Sequence, residues 1–257
     1  TGRNPINRGE KLSDHLLWAE VRDKAEPMTV VRAYSFFGHP SMISSLYIPQ
    51  MDASFLLTPA RERIDLEMKK GDWLAGYGHV KHLFTDIMLF WPGDYIFAAA
   101  RSPGVYDMGW HGGKSDPFLS YNFAKAVIHA GPGKLNLSGG LPLDLISKQP
   151  PYDLKAGERF TINVEYLGRP VKASWTASYW TWDEHGDSRV QRGTTDEDGR
   201  FDVDLSQGGL WFIDAAYSIP QPGCWTATHS LADFFKSGDS LSYNSVRYKT
   251  TLSIWVR

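Results

Sequence analysis

Histidine offers the clearest chemistry in this chain, because neutral imidazole is the commonest transition-metal ligand and suits nickel, cobalt, copper and zinc. The sequence holds 8 histidines, most of them in its first half. The candidate metal ligands are His15, His39, His79, His82 and His111. The others are interpreted as surface or packing residues, and they are His129, His185 and His229.

The closest histidine pair is His79 and His82, which follow Gly76 and Gly78. On a regular strand, residues three apart face opposite sides of the sheet and cannot share an ion. The two glycines favour a turn instead, in which both imidazoles can converge. Two interpretations therefore stay open here, a shared metal site and a pair of surface loop histidines.

Two further histidines stand at the ends of apolar runs. His39 precedes Pro40, which favours an extended backbone at that position. His15 opens the apolar run that follows Asp14. Each can be a ligand, or a residue that ends or begins a strand without binding anything.

Catalytic motifs are absent from the sequence. It contains no Gly-x-Ser-x-Gly elbow, no His-Glu-x-x-His helix motif and no phosphate-binding glycine loop. The single cysteine, Cys224, excludes an internal disulfide and a thiolate cluster, and nothing near it in sequence identifies it as a nucleophile. We therefore predict a protein that is not an enzyme.

Charge and hydropathy exclude two further classes of partner. The net charge is -2, and both signs are interspersed along the chain, so no basic region indicates nucleic acid or an anionic membrane surface. No apolar stretch reaches the roughly 18 residues that a membrane helix needs. We predict no nucleic-acid binding and no insertion into a membrane.

The candidate residues must be positioned by strands, because period-2 alternation recurs while helical periodicity is nearly absent. Phe160, Ile162 and Val164 alternate with polar residues, as in a half-buried strand. Strands in the first half are predicted near residues 15–21, 29–36, 54–57, 62–68, 83–89, 95–100 and 122–128. The pattern predicts an all-β protein with two β-sandwich domains in tandem, of the immunoglobulin or transthyretin-like kind.

The boundary between the two domains is predicted at Pro150 and Pro151, since consecutive prolines cannot donate ladder hydrogen bonds. The first domain then covers residues 1–149 and carries the candidate histidine site. The second covers residues 150–257.

Several short motifs follow one another along the chain. They are the opening run His15–Trp18, the turn Gly38-His39-Pro40, and the segments Pro92–Tyr95, Pro151–Glu158, Gly168–Pro170, Asp198–Phe201 and Gly209–Trp211. Taken in this order, they resemble the DUF4198 family of exported bacterial proteins. The resemblance covers nearly the whole chain, although Tyr217 stands where relatives often carry a histidine.

Some members of that family are periplasmic components of nickel or cobalt uptake. The resemblance therefore implies an exported, periplasmic protein that binds nickel or cobalt, with copper and zinc as alternatives, and passes the ion to a membrane importer. It also implies that His15, His39 and His111 are the better metal-ligand candidates among the five.

Two other functions stay open. Trp180 and Trp182 share one face of a strand opposite Trp175, so two indoles could form a platform for a sugar ring in a carbohydrate-binding module. A structural or assembly module would bind neither metal nor sugar.

Overall fold

The computed structural model describes residues 15–38, 48–75, 78–133, 135, 137–179, 191–231 and 234–257. Regular structure within these residues is almost entirely β-strand, so the predicted all-β class is confirmed. A short 3-10 helix, Met108–His111, is the exception among them. None of the helical structure in these ranges is long and apolar enough to cross a membrane.

Most strands follow the predicted period-2 runs, with ends that differ by a few residues. In chain order they are β1 (Leu16–Val21), β2 (Thr29–Gly38), β3 (Met51–Leu57), β4 (Arg63–Asp65), β5 (Lys69–Ala75), β6 (Gly78–Leu89), β7 (Asp94–Tyr106), β8 (Phe118–His129), β9 (Leu143–Ser147), β10 (Arg159–Tyr166), β11 (Arg169–Pro170), β12 (Ser174–Tyr179), β13 (Gln191–Thr194), β14 (Arg200–Asp204), β15 (Gly209–Ile219), β16 (Gly223–Thr226), β17 (Ser240–Tyr243) and β18 (Ser245–Val256).

One long sheet organises the described residues. Its strand order is β13-β12-β15-β18-β8-β7-β3-β4. A second sheet, β1-β2-β6-β5, covers one half of it, and a third, β11-β10-β14 with β9 also paired to β10, covers the other half. Strands β16 and β17 form a separate hairpin.

The two halves of the long sheet meet where β18 pairs with β8 in parallel, from Ser245 opposite Phe118 to Ser253 opposite Ala126. The named strands pair antiparallel everywhere else in the described residues. Strand β9 precedes the predicted boundary at 149/150, yet it pairs with β10, which follows that boundary. The long sheet is therefore continuous across both sandwiches through β8 and β18, and the β9–β10 pair also spans the predicted boundary, in the covering layer.

The first sandwich encloses a core between β1-β2-β6 and β3-β7-β8. Leu17, Ala19 and Val21 alternate inward from β1, and Phe97 and Ile128 meet them from the long sheet. Full burial of such a side chain contributes about 1.5–3 kcal/mol. This alternation fixes the register of β1, since a slip of one residue would turn its apolar side chains outward.

The second sandwich has a separate core between the β9-β10-β14 layer and β12-β15-β18. Phe160, Ile162 and Val164 are fully buried there, which confirms the alternation predicted for β10. Trp211 and Ile213 of β15 face them from the opposite layer. Both cores therefore use the same long sheet as one of their two walls.

A buried ion pair joins the long sheet to the layer that contains β9 and β10. Lys125 of β8 pairs with Asp144 of β9, and both side chains are almost completely shielded from solvent. Lys125 Nζ also donates to the Leu137 carbonyl at 2.8 Å, while Asp144 accepts the Gly139 amide at 2.6 Å. Burial lowers the pKa of Lys125, and the Asp144 carboxylate opposes that shift.

Candidate functional site

The structure holds the closest histidine pair in a strand, not in a turn. His79 and His82 both lie within β6, three residues apart. His79 is exposed, and its Nδ1 lies 3.0 Å from Asp72 Oδ1 on β5. His82 is only 2% exposed, so the two rings occupy different environments and are not brought together.

His82 belongs to an aromatic cluster on the face of the β1-β2-β6-β5 sheet opposite the first core, and Phe36 of this face also packs in a buried cluster with Phe212 of β15. Its ring centroid lies 4.2 Å from that of Trp73 and 5.5 Å from that of Phe36. Its Nδ1 lies 3.0 Å from the Val80 carbonyl oxygen. A Cβ added at Gly71 would lie 2.2 Å from Nε2, so backbone closes off the second nitrogen. These contacts describe a packing histidine.

His15 is exposed and lies directly before β1, with its ring 5.5 Å from that of Phe37. Leu16, the next residue, pairs with Gly38 at the end of β2. Gly38 precedes His39 in the sequence, and His39 itself lies outside the described residues.

His111 ends the 3-10 helix in the connection between β7 and β8, and its side chain lies outside the described part of the chain. Asp107 caps this helix by accepting the Gly109 amide at 2.8 Å and the Ser115 hydroxyl at 2.6 Å. The Ser115 hydrogen bond, followed by the Gly109 amide, lowers the pKa of Asp107. The cap orders the segment that carries His111.

A buried arginine lies between these two histidine-bearing segments. Arg101 of β7 is 4% exposed, and its guanidinium carbon is 4.1 Å from the Phe37 ring centroid and 5.3 Å from that of Tyr106. Arg101 Nε and the Tyr106 hydroxyl lack hydrogen-bond partners among the described residues. Burial raises the pKa of Tyr106. Burial lowers the pKa of His229, and the positive charge of Arg101 lowers it further.

The described residues contain no group of three or more histidine, cysteine, aspartate or glutamate side chains that could hold a metal ion. They do place His15, the end of β2 and the β7–β8 connection at one end of the first sandwich. The bridge from Lys24 to His129 shows that the chain after β1 runs parallel to β8, and Arg101 contacts both Phe37 near the end of β2 and Tyr106 at the end of β7.

A second polar site lies at the far end of β1, around His129. Its Nδ1 is 2.7 Å from Asp94 Oδ1, and Asp94 is buried. The Tyr152 hydroxyl donates to Asp94 Oδ2 at 3.3 Å, and the Tyr152 ring stacks on His129 with centroids 4.1 Å apart. Burial, reinforced by the Asp94 charge, raises the pKa of Tyr152.

This second site opens onto a surface cavity of about 530 Å³, lined by the β1–β2 connection, the start of β2 and the end of β8. The charged or ionisable side chains along its wall are Arg22, Lys24, Glu26, Arg32 and His129. Sequence reasoning assigned His129 to the surface or to packing. Its partners Asp94 and Tyr152 lie in the motifs Pro92–Tyr95 and Pro151–Glu158, and neither side chain was predicted to belong to a site.

The tryptophan platform is described only at Trp175. Its ring stacks on Phe201 with centroids 4.6 Å apart, and it packs against the second core. Trp180 and Trp182 lie outside the described residues. The packing of Trp175 is that of a core aromatic.

The fold and these sites define an all-β protein of two sandwiches that share one sheet. The chain belongs to the DUF4198 family, a domain of unknown function, whose model matches residues 15–219. No curated protein matches the chain.

Among solved structures, the FN1-FN3 domains of chicken CNTN1 align with 91% of this chain and 98% of that chain, at 8% identity and a TM-score of 0.20. A similarity this low carries no argument about fold or function.

Proposed function

We propose that this chain is a non-catalytic periplasmic binding protein that holds a nickel or cobalt ion for a membrane importer. Its metal ligands in this proposal are His15, His39 and His111, at the His15 end of the first sandwich. The observation that carries it is the pairing of Leu16 with Gly38, because these residues adjoin His15 and His39 in the sequence.

Strand geometry supports a shared site. Residues directly opposite each other in an antiparallel pair have Cβ atoms about 4.5–5.5 Å apart, which lets two side chains reach one ion. The β7–β8 connection contributes His111 at the same end of the sandwich. Imidazole ligands suit nickel and cobalt, with copper and zinc as competitors.

The buried and distant histidines serve as internal controls. His82 is enclosed by aromatic rings, and His79 pairs with Asp72 on the β5–β6 hairpin. We therefore leave both outside the proposed ligand set, although they were candidates from sequence.

The test is calorimetric titration of the protein with nickel, cobalt, copper and zinc. We expect one ion per chain, with nickel or cobalt binding that weakens at least about tenfold in His15→Ala and His39→Ala. His79→Ala is the matched control and should bind as the parent does. Absence of saturable binding by all four ions, or equal losses in all three variants, would contradict the proposal.

A further inference from the structure

We propose that the cavity beside His129 is a binding site for a small oxyanion, a phosphate or a carboxylate, separate from the metal site. The two sites lie at opposite ends of β1: His15 precedes this strand, whereas Arg22 and Lys24 follow it. A strand rises about 3.3 Å per residue, so the six residues of β1 keep the sites roughly 20 Å apart.

The volume of the cavity fits a small molecule. Ligand pockets commonly enclose about 300–1,000 Å³, and this cavity measures about 530 Å³. Its lining includes the half-buried Ala25, the exposed Val30 and the buried Val31 together with a few polar groups. A mixture of apolar and polar lining groups is the usual composition of a small-ligand site, in which the polar groups fix orientation.

His129 is oriented toward the cavity by buried groups. A carboxylate only accepts hydrogen bonds, so the hydrogen on His129 lies on Nδ1, which faces Asp94. This leaves Nε2 for the cavity, which His129 lines while its side chain remains 26% exposed. Stacking on Tyr152 fixes the plane of the ring. With its hydrogen on Nδ1, His129 offers Nε2 as an acceptor for a hydroxyl of phosphate or of a carboxyl group.

The charges around the cavity favour an anion. Three cationic side chains, Arg22, Lys24 and Arg32, line it against one carboxylate, Glu26. Lys24 and Arg32 have partners, Asp153 and Asp86, but both pairs are exposed and solvent-screened. Arg22 forms no ion pair within the described ranges, so its guanidinium is available for a bidentate contact with an oxyanion.

A metal ion is the principal competitor, because a carboxylate that orients an imidazole is also a common arrangement behind metal-bound histidine. The surrounding charges decide between the two ligands. Arg22, which forms no ion pair in the described ranges, would repel a divalent cation at Nε2 and attract an oxyanion, whereas Asp153 and Asp86 offset most of the charge of Lys24 and Arg32.

The experiment measures binding of inorganic phosphate and of succinate to the full chain by calorimetry, with sodium chloride at matched ionic strength as reference. The key variant is Arg22→Gln, because Arg22 is exposed and its loss should not disturb folding. We expect it to weaken binding about tenfold, as for a hydrogen bond to a charged group. Arg63→Gln, an exposed arginine on β4, should leave binding unchanged.

His129→Gln provides a second variant, with its fold checked by circular dichroism, and should weaken the same anion. Phosphate without succinate binding, or the reverse, identifies which oxyanion the cavity accepts. The proposal is overturned if neither anion binds beyond chloride, or if Arg22→Gln and Arg63→Gln behave alike. It is also overturned if nickel binding is lost in His129→Gln but kept in His15→Ala, since His129 would then be a metal ligand.

Discussion

Lys125 and Asp144 form the most demanding polar contact among the buried residues described. Removing two charges from water costs several kcal/mol for each ion, and their attraction offsets this only when further hydrogen bonds complete the geometry. Here the Leu137 carbonyl, the Gly139 amide and the Ser138 hydroxyl supply those bonds. The hydrogen-bonding groups of both side chains therefore have partners, and loss of either side chain would leave the other charge buried without its counterion.

Lys125→Met should lower the free energy of unfolding by about 3–5 kcal/mol, because it leaves Asp144 buried and uncompensated. The double variant Lys125→Met with Asp144→Leu should recover a large part of that loss, since both desolvation costs disappear together. Urea denaturation followed by tryptophan fluorescence measures both values.

Lys24→Met is the matched control, because Lys24 pairs with Asp153 at the surface. An exposed pair contributes about 1 kcal/mol or less. Similar losses in Lys24→Met and Lys125→Met would show that burial does not govern the energetics of the pair.

Single residues were predictable where the signal is local and not where it depends on register. Phe160 and Val164 could be placed in a core from alternation alone, because the side-chain period of a strand is a property of the backbone. His129 could not be matched with Asp94 and Tyr152, because Asp94 lies 35 positions before His129 and Tyr152 lies 58 positions after Asp94. Their contact requires the β7–β8 register and the later return of the chain past it.

At the scale of elements, the β5–β6 hairpin explains why two neighbouring histidines differ. The strand continues through Gly78 and His79, so alternation separates His79 from His82, and the turn that could have united them is not formed there. Gly71 lies opposite His82 in this hairpin. The absence of a side chain at Gly71 makes room for the imidazole.

Gly71→Ala should destabilise the hairpin by about 1–3 kcal/mol, because the new Cβ would overlap the His82 ring at 2.2 Å from Nε2. The double variant with His82→Ala should regain most of this loss, since the ring that clashes is gone. Thermal unfolding by circular dichroism gives the comparison.

Gly104→Ala is the control substitution within a strand, because the nearest atom to an added Cβ there is Phe235 Cζ at 3.4 Å. A loss in Gly71→Ala that matches Gly104→Ala, with no recovery in the double variant, would mean that backbone entropy and not the His82 contact sets the cost.

Elements as a class were predicted well because strands repeat a short pattern, whereas a contact between elements, such as that of Asp94 with His129, was not predicted. Predicted runs near residues 29–36 and 122–128 correspond to β2 and β8 with longer ends. The β16–β17 hairpin was not predicted, since Gly223–Thr226 and Ser240–Tyr243 are short strands with little apolar alternation.

At the scale of the whole molecule, the parallel pairing of β8 with β18 has no counterpart in the sequence pattern. It joins residues about 127 positions apart, as in the pair Ser245 and Phe118. Local periodicity carries no information about such a partner, so two sandwiches were predicted as units in tandem. In the continuous sheet, β8 of the first sandwich pairs with β18 of the second, so each sandwich covers an edge strand of the other.

The two halves on either side of 149/150 should therefore fail to fold when produced separately. The fragment of residues 15–149 would keep β9 without β10 and leave the edge of β8 unpaired, while the fragment of residues 150–257 would lose β8 from the side of β18. Unpaired central edges expose backbone donors and acceptors and promote aggregation.

The full chain should unfold in one transition, with fluorescence and circular dichroism curves that coincide. A dispersed amide NMR spectrum from either fragment, or two separated transitions in the full chain, would show that the shared sheet does not couple the sandwiches.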